Sequence, residues 1–125
     1  YFLGGSEECL QRLRGNFQKA QPGLKLVGCR NGYFSESEAP AIVAEINRLS
    51  PDFIWVGLGT PKQQAWLHRW KAEIRRGVLF AVGFAFDANA GTKKDSPLWM
   101  QHAGLGWFYR LLTEPARLGP RYLKY

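Results

Sequence analysis

The sequence predicts an α/β fold, a parallel sheet with helices on both faces, and three observations predict it. Four short apolar runs, at 1–3, 24–29, 53–56 and 78–82, have the composition of buried strands. Between them lie segments whose apolar residues recur every three and four positions, the spacing of one helix face. Gly, Pro, Asn and Ser stand at the joints, so strand and helix alternate in the order that builds βαβ units.

Residues 1–3 read as the first strand. Ser6 caps a helix in which Leu10, Leu13 and Phe17 share a face, and Gln21-Pro22-Gly23 ends it. The second strand occupies 24–29, after which Asn31-Gly32 turns the chain toward Tyr33-Phe34. Ser35 and Ser37 are both candidate caps for the next helix; Pro40 is tolerated only in a first turn, which favours Ser37. Ile42, Val43, Ile46 and Leu49 make the buried face of that helix, and Ser50-Pro51 breaks it. The run at 53–56 fits a strand covered on both faces, and Trp66, Trp70 and Ile74 align on the helix after Pro61. The run at 78–82 is the fourth strand, and 83–87 with 91–97 reads as a loop at the same edge of the sheet.

The junction after the third strand carries the most chemistry. Gly57 and Gly59 let the backbone turn tightly and approach a bound group. Thr60 caps the following helix, Pro61 takes its first position, and Gln63 completes a Thr-x-x-Gln capping box, while Lys62 adds a cation. A strand, a glycine turn and a cationic helix N-terminus make an anion site at the carboxyl edge of a parallel sheet. The same residues also serve as plain helix caps beside a solvated lysine, and the spacing admits both. Asp87 belongs to the same edge, as a carboxylate that orients a sugar or ribose hydroxyl, as an acid/base, or as the cap of a short helix beginning at Ala88; hydroxyl binding or capping is favoured, because no second carboxylate or His near it in sequence makes a proton-transfer pair. Gly4-Gly5-Ser6 is followed by Glu7 and Glu8, which complement the helix dipole and repel a phosphate. Neither GxGxxG nor GxxxxGK[ST] occurs, which argues against classical dinucleotide and P-loop binding. His68 and His102 are isolated and read as structural.

With 125 residues, 46% of them apolar, the chain can bury the core of one domain. Its formal charge of +7 favours an anionic partner. Near the end Arg110, Arg117, Arg121 and Lys124 face only Glu114 and are interleaved with Trp107, Phe108, Tyr109, Tyr122 and Tyr125. That mixture suits a membrane interface, where rings settle at headgroup depth and guanidinium groups pair with phosphates; it also suits a solvated basic helix face. No RNP, KH or similar motif supports nucleic-acid binding. Cys9 and Cys29 lack CxxC or Cys/His spacing, so reduced thiols in a cytoplasmic setting are expected, with no metal site. No apolar run is long enough to span a bilayer. The chain opens on Tyr1 inside an apolar run, which is expected of a fragment.

Taken in order, Phe2-Leu3-Gly4-Gly5, Asn31-Gly32-Tyr33-Phe34, Pro51-Asp52 with the stretch from Val56 to Gln63, the stretch from Val82 to Asp87, Ala90-Gly91-Thr92 and the stretch from Tyr109 to Leu118 closely resemble the WecG/TagA/CpsF glycosyltransferases, carboxyl-terminal half only. The resemblance covers nearly the whole chain. It implies an inverting transferase moving a sugar from a UDP-sugar to a polyprenyl-diphosphate-linked acceptor, for a surface polysaccharide or teichoic acid linkage. It further implies a peripheral position on the inner face of a bacterial plasma membrane, with no metal or cofactor. The family's base is an aspartate, helped by a threonine, in the amino-terminal half, so no catalytic residue is assigned here and the isolated chain is expected to be inactive. By carry-over Tyr33, Gln63 and Asp87 match positions at the nucleotide-sugar pocket. Arg110, Arg117 and Arg121 match a basic appendage that meets the membrane and the diphosphate. The chain departs from the family pattern at Gln64, Gly106, Asp95-Ser96 and Gly119-Pro120, the last of which predicts a broken terminal helix. The expected organisation is a Rossmann-like α/β domain over 1–104 and a basic aromatic helical appendage over 105–125. The alternative is a noncatalytic remnant that binds nucleotide or anionic lipid.

Overall fold

Strands β1 (Phe2–Gly4), β2 (Cys29–Arg30), β3 (Phe53–Gly57) and β4 (Val78–Ala81) lie side by side in the order β2-β1-β3-β4, all parallel. The structure is a computed structural model that describes the backbone of residues 1–122 and the side chains of all of these except 117 and 120–122. Helix α1 (Glu7–Ala20) follows β1, α2 (Ala39–Leu49) precedes β3, α3 (Lys62–Trp70) joins β3 to β4, and α4 (Ala85–Ala90) follows β4. The predicted α/β class, a parallel sheet between two helical layers, is the observed one.

Strand alternation divides the core in two. Leu3, Ile54 and Val56 point to one face and are buried with Ile42, Val43, Ile46 and Trp66 of α2 and α3. Phe2 points to the other, where it packs with Cys9, Leu10 and Leu13 of α1 and Phe86 of α4. Phe86 lies so close over β3 that a Cβ on Gly57 would sit 2.6 Å from its ring, which is why glycine stands there. Helix α1 starts as expected, with the Ser6 hydroxyl accepting from the Cys9 N–H at 3.1 Å. Helix α2 ends on Ser50 in the left-handed conformation (φ 49°), and Pro51 prevents its continuation.

Four local expectations fail. The second strand is Cys29–Arg30 rather than 24–29, because β1, its partner, is only three residues long and pairs Phe2 with Cys29 and Leu3 with Arg30. Ser35 rather than Ser37 leads into the second helix: the Glu38 carboxylate accepts from the Ser35 N–H at 2.8 Å and its hydroxyl at 3.0 Å around a 3₁₀ turn, Glu36–Glu38. Ile74 reaches the core from the turn after α3, not from the helix. Residues 85–87, expected in a loop ahead of a short helix beginning at Ala88, are already helical: α4 starts at Ala85, since Phe86 and Ala90 bury against α1 and the sheet.

The chain divides into two compact units, Tyr1–Lys93 and Lys94–Tyr125. The second contains α5 (Leu98–His102), α6 (Gly106–Thr113) and α7 (Pro115–Tyr122). The helical break falls at Glu114, whose φ of −133° leaves the helical region. Pro115 then opens α7 in the position where a missing N–H is harmless, and α7 runs on through Gly119-Pro120, contrary to the expected break. Among the described residues no helix is long and apolar enough to cross a membrane.

Candidate ligand site at the carboxyl edge of the sheet

Because all four strands are parallel, the segments that follow them meet at one edge. The chain passes from β1 outward to β2 and then returns to the far side of β1 for β3, so the topological switch point lies between β1 and β3. Ligands of open α/β sheets collect outside the carboxyl ends of the strands at such a point. Here the backbone is drawn tight: Gly5 N–H donates to the Gly57 carbonyl at 3.2 Å and Gly32 N–H to the Gly5 carbonyl at 2.8 Å. A Cβ on Gly4, whose φ is 135°, would collide with the backbone of Gly57. Gly59, with φ 75°, has no atom within 4 Å of where its Cβ would stand, so its outward side is open.

The residues of the β3–α3 turn take other partners than the capping box expected of them. The Thr60–Pro61 peptide is cis, α3 begins at Lys62, and no side chain caps it. Gln63 is buried and its Oε1 accepts from the Gly83 N–H at 3.1 Å, which ties the end of β3 to the end of β4. Thr60 accepts instead from Gln64 Nε2 at 3.2 Å. Lys62 Nζ donates to the carbonyls of Gly32 at 2.8 Å and Phe34 at 3.3 Å and lies 4.3 Å from the centre of the Phe34 ring. The ammonium therefore sits at the rim and binds the loop after β2 to the start of α3.

That loop walls a cleft of about 270 Å³ lined by Glu7, Cys29, Arg30, Asn31, Tyr33, Phe34 and Glu38. Asn31 Oδ1 accepts from the Tyr33 N–H at 3.1 Å, an Asx turn that presents the Tyr33 side chain outward, 84% exposed. Asn31 Nδ2 stands 3.5 Å from Glu7 Oε2 at the start of α1. Arg30 pairs with Glu38 at 3.1 Å. The Ser35 N–H and hydroxyl, more than Arg30, hold the Glu38 carboxyl below its usual range. This brace is complete above the ordinary carboxylate pKa and is lost as pH falls through the lowered one. Burial pushes the Cys29 thiol up, so it lines the cleft as a neutral group, and burial does the same to Cys9 on the inner face of α1.

Asp87 lies on α4, next to the Phe86 that covers Gly57. Its carboxylate accepts from Thr92 Oγ1 at 3.0 Å and stands 3.8 Å from Lys93 Nζ. Tyr33, Gly57, Gly59, Thr60, Lys62 and Gln63 are thus gathered on one edge of the first unit. Arg110 belongs to the second unit, where it faces Asp95 at 3.5 Å. The side chains of Arg117 and Arg121, and Lys124 and Tyr125 entirely, lie outside the described residues. Glu7, Arg30, Asn31 and Glu38 are cleft residues that sequence reasoning missed. The available signal was the βαβ order itself, which puts the loop after β2 beside the first turn of α1.

Fold and rim together define a doubly wound α/β domain with a polar, glycine-built rim at the carboxyl edge of its sheet. The chain belongs to the WecG/TagA/CpsF glycosyl transferase family, whose model matches residues 1–125. It is similar to two curated proteins, both N-acetylglucosaminyldiphosphoundecaprenol N-acetyl-β-D-mannosaminyltransferases. One, from Bacillus subtilis strain 168, is 28% identical over 117 residues, and one, from Bacillus spizizenii strain W23, is 30% identical over 121. Each match takes in 94% of this chain but 45% of the relative, so the chain spans less than half the length of these proteins.

Proposed function

We propose that this chain is the carboxyl-terminal, donor-holding part of an inverting glycosyltransferase. It would move a sugar from a UDP-sugar to a polyprenyl-diphosphate-linked acceptor at the inner face of a bacterial plasma membrane. The observation that carries the reading is the convergence of Gly5, Gly32, Gly57 and Lys62 beside the Asn31–Tyr33 cleft, in a chain of this family. The exposed Tyr33 ring offers a surface for a nucleobase, and Glu7 and Asn31 offer acceptors and donors for hydroxyl groups. The open side of Gly59 lets a diphosphate approach the backbone, where the fixed charge of Lys62 favours the leaving UDP over the bound donor. Asp87, held by Thr92 and Lys93, would orient a sugar or ribose hydroxyl. The names of the two relatives support an acceptor that carries N-acetylglucosamine on a diphosphoprenol.

The second unit suits the acceptor side. Leu98, Trp99, Leu105, Trp107, Phe108 and Leu112 are all exposed there, in a stretch of sequence that also carries Arg110, Arg117 and Arg121. A lipid-linked acceptor stays at the membrane, so an interfacial segment on the enzyme brings the two substrates together.

Calorimetric titration with UDP tests the donor assignment. Binding to the 125-residue chain is expected, weakened about tenfold by Asp87→Ala, the loss of one charge-assisted hydrogen bond. No heat of binding at millimolar UDP, or equal affinity in both proteins, would remove UDP from this edge or Asp87 from the site. The second outcome favours the noncatalytic alternative.

A further inference from the structure

Within the first unit, the lower part of one sheet face has no cover among the described residues. Phe53, Trp55, Val78 and Phe80 point to the same side as Phe2, since Phe53 pairs with Val78 and Trp55 with Phe80 in register. Helices α1 and α4 cover that side around Phe2 and Gly57, but Phe53 is 50% exposed, Val78 53% and Phe80 37%. The Trp55 and Phe80 rings stack with centroids 4.6 Å apart, and Phe53 stands 6.1 Å from Phe80. The result is a flat aromatic patch of uncharged side chains.

Beside it, among the described residues, β4 is an edge strand of the sheet. The Val78 N–H donates to the Asp52 carbonyl and the Val82 N–H to Val56, both at 2.9 Å. By strand alternation Leu79 and Ala81 therefore turn their N–H and C=O groups away from β3, toward a missing neighbour. Lasting edges are blunted by charge, proline or a bulge, and the sequence Val78-Leu79-Phe80-Ala81 has none of these. The cation nearest the strand start, Arg76, is paired with Asp52 at 2.7 Å.

We propose that this edge and patch are the seat of the polypeptide by which the curated relatives exceed this chain. That polypeptide would add a strand beside β4 and lay a helix over Phe53, Trp55 and Phe80. More than half of each relative lies outside the match, a length greater than that of this chain. Polypeptide of that size must bury its own apolar faces, and the opposite sheet face is already filled by α2 and α3. A membrane is a poor fit for the patch, because it would leave the outward N–H and C=O groups of β4 unsatisfied. The docking rests on family membership and not on the donor assignment.

Hydrogen exchange tests it in two proteins: the 125-residue chain, at two concentrations, and the same chain joined to the portion of the Bacillus subtilis relative that it does not match. The Leu79 and Ala81 amides are expected to exchange fast in the chain alone, independent of concentration, and at least about a hundredfold slower in the joined protein. Equal rates in the two proteins overturn the proposal, as does an unmatched portion that stays unfolded beside an intact first unit. Protection in the chain alone also overturns it, by pointing to a second copy if it grows with concentration and to a segment of this chain if it does not. Phe80→Glu gives an independent reading. It is expected to lower the urea midpoint of the 125-residue chain by no more than the loss of its stacking on Trp55 and to restore fast exchange at Leu79 and Ala81 in the joined protein. Slow exchange at Leu79 and Ala81 in the joined variant overturns the proposal. Exchange is read rather than transfer, so loss of UDP binding would leave this result intact.

Discussion

Gln63 shows how one buried side chain can hold an edge together. Its Oε1 is an acceptor for the Gly83 N–H, and its own backbone N–H donates to the Gly59 carbonyl at 2.8 Å, so one residue links the turns after β3 and β4. Replacement by leucine keeps most of the volume and removes the acceptor. Gln63→Leu is expected to cost about 1–3 kcal/mol, the penalty for a buried donor without a partner. Urea denaturation measures it, and an unchanged midpoint would mean that water reaches Gly83. The residue type and position were readable, but its partner was not: Thr-x-x-Gln is also the pattern of a capping box, and only the approach of β4 makes Gly83 available. Lys62 is a parallel case. Its charge was visible in the sequence, whereas its bonds to Gly32 and Phe34 depend on a loop thirty and twenty-eight residues away.

Elements with a strong periodic signal and local caps were legible. The α1 face, with Cys9, Leu10 and Leu13 buried, and the α2 face, with Ile42, Val43 and Ile46 buried, follow from spacing alone. Short elements were less so. Strand β2 is cut to two residues by its neighbour, and α4, six residues long, has too few turns for a period to show. In the second unit α6 carries its apolar residues outward, with Trp107 52% exposed and Phe108 beside it in an edge-to-face pair. A double variant, Trp107→Ala with Phe108→Ala, removes exposed rings. It is expected to weaken sedimentation with phosphatidylglycerol vesicles at least about tenfold, given ~1.5–3 kcal/mol for each aromatic side chain transferred from water. Equal binding by the variant would assign any membrane affinity to charge alone.

At the scale of the whole molecule, the chain has 125 residues and the relatives are more than twice as long as the matched segment. The chain by itself is expected to give no transfer of labelled sugar from UDP-N-acetylmannosamine to an N-acetylglucosaminyl-diphosphoprenol, and the joined protein is expected to restore it. Transfer by the 125 residues alone would place the base within them and defeat the division of labour. What the sequence determined by itself was the alternation of strands and helices, the parallel sheet that alternation requires, and the family, because these rest on local periodicity, turn chemistry and ordered motifs. The strand order with its switch point, the meeting of Gly5, Gly32 and Gly57, the cleft of Glu7, Asn31 and Tyr33, and the bare patch of Phe53, Trp55 and Phe80 were decided only by the tertiary structure. Each depends on which segments, distant along the chain, become neighbours, and that is set by packing two helical layers against one sheet rather than by any residue's own preference.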